Sequence, residues 1–155
     1  MKTKTDMIDL VIGSDHRGYN LKRIIEKHLV PIDKDINKNI TTFLDSGCYD
    51  NKQKVDYPDI VKNLVQELKG SFNKGILICG SGLGVCIAAN RHSHIRAVTV
   101  RSVKEAKMAR LHNDANVLCL GADVTNKPTA IRIVDAFLTT EFEGGRHIKR
   151  LNKIS

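Results

Sequence analysis

Apolar runs of four to six residues recur at Ile8 to Gly13, Ile40 to Asp45, Gly75 to Cys79, Ile95 to Val100 and Val117 to Leu120. Their length and their branched residues read as buried strands. Between them lie stretches with helical periodicity. Tyr19 to Val30 places Leu21, Ile24, Ile25 and Leu29 on one side, and Pro58 to Leu68 follows an entry proline with Ile60, Val61, Leu64, Val65 and Leu68. Val85 to Arg91, Val103 to Leu111 and Pro128 to Leu138 complete an alternating series, which predicts an α/β fold: a parallel sheet covered by helices on both faces. Glu141 to Arg150 reads as a loop and a short basic helix, and Lys34 to Lys54 as a polar, weakly patterned, mobile stretch.

In such folds ligands sit beyond the carboxyl ends of the strands, so the loops there carry the interest. After the first strand comes Ser14-Asp15-His16-Arg17-Gly18, before the second helix Asp56-Tyr57-Pro58, and after the third strand Cys79-Gly80-Ser81-Gly82-Leu83-Gly84. The three glycines let backbone approach a ligand, and the amides opening the next helix make an anion cradle whose field favours a thiolate. The spacing matches neither a dinucleotide fingerprint nor a nucleotidase phosphate loop. By itself the segment fits a tight turn with a buried structural cysteine equally well.

The 155 residues fit one domain, spanning 1–155. A formal net charge of +8 favours acidic partners, phosphorylated metabolites or nucleic acid. With aromatics at 5% there are few rings for bases to stack on, and the lysines form no long basic run, which argues against nucleic acid. No apolar run reaches membrane-span length, and the opening residues lack the apolar core of a signal peptide. A cytoplasmic protein is expected, with Cys48, Cys79, Cys86 and Cys119 as free thiols.

Several further groups admit two readings. Asp15 either meets a ligand with His16 or caps the helix near Tyr19. His112, with Asn113 and Asp114, serves either as an acid or base or as a helix-end residue. Arg146 and Arg150, four apart, either fork onto a phosphate or are solvated. His92-x-His94 has a metal-like spacing without supporting ligands. His28, Cys86 and Cys119 read as structural, and Cys48 as a polar-loop residue with no activator.

Taken together, Ile12 to Lys22, Asp56-Tyr57-Pro58, Ile76 to Asn90, Arg110 to Leu118 and Phe142 to His147 resemble the type B ribose-5-phosphate isomerases, in a superfamily shared with galactose-6-phosphate isomerase subunits. The resemblance covers nearly the whole chain in one order and weakens around residues 32 to 54. It implies a three-layer Rossmann-like domain with a C-terminal helical extension, a homodimer or dimer of dimers, and no cofactor or metal. It also implies interconversion of ribose 5-phosphate and ribulose 5-phosphate through an enediolate, a step of the pentose phosphate pathway. Cys79 then stands at the position of the proton-transfer base, since the branch that uses a glutamate just after the third glycine has its counterpart here in Val85. Ser81 assists, the amides of Gly80, Gly82 and Gly84 hold the anion, and His112 opens the ring. Asn113, Asp15, His16 and Tyr57 fall at substrate-contacting positions, and Arg146 and Arg150 at phosphate-binding ones.

One departure stands out. Where the resemblance leads one to expect Gly-x-Arg, an arginine that binds phosphate, the chain reads Gly121-Ala122-Asp123. Either Asp123 turns away while Arg146, Arg150, Lys127 or Arg101 carries the phosphate, or the preferred substrate differs. Allose- or galactose-6-phosphate isomerisation and a non-catalytic sugar-phosphate sensor are the alternatives.

Overall fold

The computed structural model describes residues 7–29 and 40–154. The elements run β1 (Ile8–Ser14), α1 (Tyr19–Leu29), β2 (Ile40–Asp45), α2 (Tyr57–Glu67), β3 (Lys74–Cys79) and α3 (Leu83–Ala89). They continue through β4 (Ala97–Thr99), α4 (Val103–Asn113), β5 (Val117–Gly121), α5 (Lys127–Thr139) and α6 (Arg146–Leu151). All strand pairings are parallel, in the order β2-β1-β3-β5-β4. The expected strands and helices are thus present, although the fourth strand is shorter than the apolar run Ile95 to Val100 and the third helix begins two residues earlier than expected.

Successive strand residues face opposite ways, and the chain uses this to build two cores. Leu10, Ile12, Ile76, Ile78, Leu118 and Leu120 meet Leu21, Ile25, Ala106, Ile133 and Phe137 from α1, α4 and α5. Val11, Leu77, Cys79, Val117 and Cys119 meet Ile60, Val61, Leu64, Val85 and Ala89 from α2 and α3. Near-continuous apolar runs are therefore what a sheet buried on both faces requires. Asn126 caps α5 by accepting from the Thr129 amide, and Ser102 caps α4 by accepting from Glu105.

The stretch expected to be mobile contains β2, whose pairing with β1 runs as far as Ile12 opposite Asp45; residues 34–39 and Val30 lie outside the described residues. Two burials follow from it, and the first falls on a residue type that is almost never fully buried unless paired. Lys22 is fully buried on α1, where its Nζ donates to Asp45 Oδ1 at 2.6 Å and to the Cys48 carbonyl at 2.6 Å. Cys48, expected in an open polar loop, is buried, and burial pushes its thiol up. His28 joins α1 to Asp135 of α5 at 2.7 Å, in keeping with a structural role.

Candidate active site

β1 and β3 are neighbours, yet the helices that follow them, α1 and α3, pack on opposite faces of the sheet. Their outgoing loops therefore part, leaving a crevice at the carboxyl edge. Cys79 ends β3 at this crevice, 5% exposed, and its Sγ accepts from the Gly82 amide at 3.2 Å. Gly82 has φ 76°, a left-handed conformation costly for other residues, and this turn brings its N–H back onto the sulfur. Ser81 Oγ accepts from the Leu83 amide at 3.2 Å.

The loop after β5 and the end of β4 brace this turn. Ala122 N donates to the Cys79 carbonyl at 2.9 Å, Asp123 N to the Gly80 carbonyl at 3.0 Å, and Thr99 Oγ1 to the Gly82 carbonyl at 2.7 Å. On the other side Asp15, buried, accepts from the amides of Arg17 and Gly18 at 3.0 Å each. The Asp15 amide donates to the Ile78 carbonyl at 3.1 Å, which ties the first loop to the residue before Cys79. His16 Nδ1 accepts from the Val55 amide at 3.3 Å. Tyr57 lies against the cradle so closely that a Cβ at Gly84 would come within 2.6 Å of its Cζ. The structure thus brings Asp15, His16, Tyr57, Cys79, Gly80, Ser81, Gly82 and Gly84 to one rim.

It does not bring the remaining predicted residues there. α4 runs antiparallel to the strands and ends at the opposite edge of the sheet, where the Gly75 amide donates to the Asn116 carbonyl at 2.8 Å. The four steps of strand from Gly75 to Cys79 span roughly 13 Å. His112 and Asn113 close α4 at that far edge. The Glu143 amide donates to the Leu111 carbonyl at 3.1 Å, and His147 stacks on His112 with ring centroids 4.7 Å apart, so α6 with Arg146 and Arg150 belongs to the far edge as well. Within one chain the candidate residues form two half-sites.

Asp123 is exposed but does not stand alone: it is ion-paired with Arg17. The pair abuts the cradle, since a Cβ at Gly80 would lie 2.9 Å from Asp123 Oδ2 and 3.0 Å from Arg17 Nε. It borders a cavity of about 510 Å³ whose lining includes Asn20, Thr125 and Lys127. Arg17 escaped notice in the sequence because its partner lies 106 positions away. His147 and Glu143 were missed likewise; only their place beside the Gly144-Gly145-Arg146 motif could have pointed to them.

Cys86 and Cys119 share the core cluster of Cys79. Cys86, expected to be packed away, is half-buried and donates to the Ala97 carbonyl at 3.4 Å. Hydrogen bonding from Cys119, which outweighs burial, brings the Cys86 thiol down to about 6, whereas burial pushes Cys119 well above the usual thiol range. His94 Nε2 contacts the Val65 carbonyl at 2.9 Å, which ties that imidazole to the scaffold.

Fold and crevice together define a doubly wound α/β protein with a thiol and a glycine turn at its switch point. A family model described as Ribose/Galactose Isomerase matches residues 10–154. A putative sugar phosphate isomerase of Rickettsia bellii (strain RML369-C) is 46% identical over 147 residues, 94% of this chain and 96% of that protein. The structure of ribose-5-phosphate isomerase B from Clostridium thermocellum superposes with a TM-score of 0.86 at 43% identity, covering 95% of each chain. That of ribose-5-phosphate isomerase B from Mycoplasma genitalium with bound ribulose-5-phosphate gives 0.84 at 40% identity, covering 95% of this chain and 93% of the other. The chain belongs to the ribose/galactose isomerase family.

Proposed function

We propose that the protein is an aldose-ketose isomerase interconverting ribose 5-phosphate and ribulose 5-phosphate, with Cys79 as the base that moves the proton. The observation that carries this reading is the Cys79 sulfur at the strand end, 3.2 Å from the Gly82 amide in a glycine turn at the crevice. The Cys79 thiolate takes the proton from C2 of the open-chain aldose, the electron pair passes into an enediolate, the hydroxyl proton moves from O2 to O1, and the proton held on Cys79 returns to C1. The amides from Gly80 to Gly84 and the Ser81 hydroxyl donate to the oxygens that become anionic. Asp15, His16 and Tyr57 orient the sugar. The ring must open first, which is the task of His112, with Asn113 holding a sugar oxygen.

Because His112 and Cys79 lie at opposite edges of the sheet, the complete site needs a second copy of the chain, whose His112, Asn113, Arg146 and Arg150 meet the first copy's cradle. Exposed apolar side chains support this arrangement. Leu83 and Ile87 are 49% and 69% exposed on α3 beside the cradle, and Met108 and Ile148 are 43% and 48% exposed on α4 and α6 near the other half-site. The substrate phosphate meets Arg17, with Asp123 already neutralised by that same guanidinium, alongside Lys127 and the arginines of the second copy. We place the enzyme in the cytoplasm, in keeping with four unpaired cysteines. Among the described residues no helix is long and apolar enough to cross a membrane.

Replacing Cys79 by Ala is expected to lower turnover of ribose 5-phosphate by about a thousandfold while leaving the melting transition in place; near-normal turnover would sink the assignment. A panel of pentose and hexose phosphates on the wild-type chain separates the ribose reading from allose- or galactose-6-phosphate isomerisation. Binding of sugar phosphate with no turnover of any of them would mark a sensor.

A further inference from the structure

The far half-site holds a cluster that proton transfer on a sugar does not require. His112 on α4, Glu143 in the loop before α6 and His147 on α6 place one ligand atom each within 4.8 Å of one another. Glu143 Oε2 lies 3.6 Å from His147 Nε2, and the two imidazoles stack at 20° between planes. The backbone fixes all three. The Glu143 amide is bonded to the Leu111 carbonyl next to His112, and the His147 amide donates to the Gly144 carbonyl at 3.1 Å. His147 is 6% exposed, whereas His112 is only partly covered, so the cluster opens to solvent on one side.

Two imidazoles and a carboxylate are the ligand set that Zn²⁺ accepts with its fourth position open, and nitrogen donors favour it over Mg²⁺ or Ca²⁺. Zinc bonds of about 2.0 to 2.1 Å in a tetrahedron put neighbouring ligand atoms about 3.4 Å apart, so closure requires the ligand atoms to converge by up to about 1.4 Å and one of the two stacked imidazoles to turn until both in-plane lone pairs meet the ion. The opposing charge is Arg146, whose Nε lies 3.4 Å from His147 Nε2. That contact is long, and the exposed Arg146 side chain can swing into solvent without a change in the helix.

We propose that His112, Glu143 and His147 form an inhibitory Zn²⁺ site. The metal occupies the imidazole that the isomerase needs free for ring opening, so zinc switches the enzyme off and a chelator restores it. The inhibitory consequence rests on the proposed function; the binding itself does not.

The test is calorimetric titration of the untagged, chelator-treated chain with Zn²⁺, repeated with Co²⁺, whose tetrahedral complexes absorb strongly in the visible. One equivalent per chain is expected. His147→Ala and Glu143→Gln should each weaken binding by at least about tenfold, the loss that removing even an outer partner of a metal site causes. Cys86→Ser should bind as the wild type does. Glu143 is exposed, so its variant remains informative if loss of the buried His147 prevents folding. Unchanged affinity in Glu143→Gln, or loss of binding in Cys86→Ser alone, overturns the site. In a ribose 5-phosphate assay zinc should inhibit the wild type at lower concentration than Glu143→Gln, and equal sensitivity overturns the inhibitory role. A chain that binds zinc through these residues but isomerises no sugar phosphate leaves the metal site standing and removes the proposed function.

Discussion

The two edges of the sheet carry the same kinds of residue to different ends. At the carboxyl edge the carboxylates are matched: Asp15 is satisfied by backbone amides, Asp123 by Arg17, and Asp45 by the buried Lys22. At the amino edge cations crowd together. Arg96 and Arg110 share the single carboxylate of Asp114, and burial, then Arg110, brings Lys74 down to about 8. The first edge builds a cradle from backbone; the second presents side chains. A loop at a switch point can offer several amides to one ligand, whereas the closing turn of a helix offers carbonyls and whatever side chains it carries. On the proposed roles of Cys79 and His112 neither edge suffices for an isomerase, and their complementarity is the argument for a shared site.

The largest expected effect tests that sharing. Cys79→Ala and His112→Ala should each be nearly inactive alone. Mixed under conditions that let subunits exchange, they should recover about a quarter of wild-type activity, because half the dimers are mixed and each restores one of two sites. No recovery would mean that one chain supplies both residues, contrary to the separation of the two edges.

A smaller effect concerns the Arg17–Asp123 pair. Arg17→Ala should raise KM for ribose 5-phosphate by about tenfold or more with little change in kcat, the signature of a lost charge-assisted contact to phosphate. Asp123→Arg should lower KM, since it adds a cation at the same place and frees Arg17. If both variants match the wild type, phosphate is held by the far half-site alone.

The smallest effect is on stability at the amino edge. Lys74 has its folded value lowered to about 8 from an ordinary 10.5. The unfolded chain therefore binds the extra proton between those values, and stability contributed here rises with pH across about 8 to 10.5 and is lost below. Lys74→Met should accordingly raise stability at pH 7 by about 1 kcal/mol in chemical denaturation. A loss of stability would show that Lys74 is held by Asp114 more strongly than burial and Arg110 oppose it.

Much of the fold was legible because its signals are local. Ile76-Leu77-Ile78 needs no distant partner to read as a doubly buried strand, and Pro58 marks the entry of α2 wherever the helix packs. The cradle was legible for the same reason, as glycines and a thiol contiguous in sequence. β2 was read within its own bounds, Ile40 to Asp45, but inside a stretch also expected to be mobile, and its pairing with β1 decides for the strand. Arg17 beside Asp123 and His147 on His112 were invisible, since each contact joins residues brought together by elements that fold independently of it.

By itself, then, the sequence determined the alternating elements, the parallel sheet, the glycine cradle with Cys79 and the inventory of groups suited to sugar-phosphate chemistry. Only the tertiary structure decided which of those groups share an edge. Because a helix between parallel strands must run back against them, His112 ends at the amino edge while Cys79 sits at the carboxyl edge. The direction follows once the helices are packed on a parallel sheet, and the stack of His147 on His112, invisible in the spacing, brings α6 to the same edge and turns one list of residues into two half-sites.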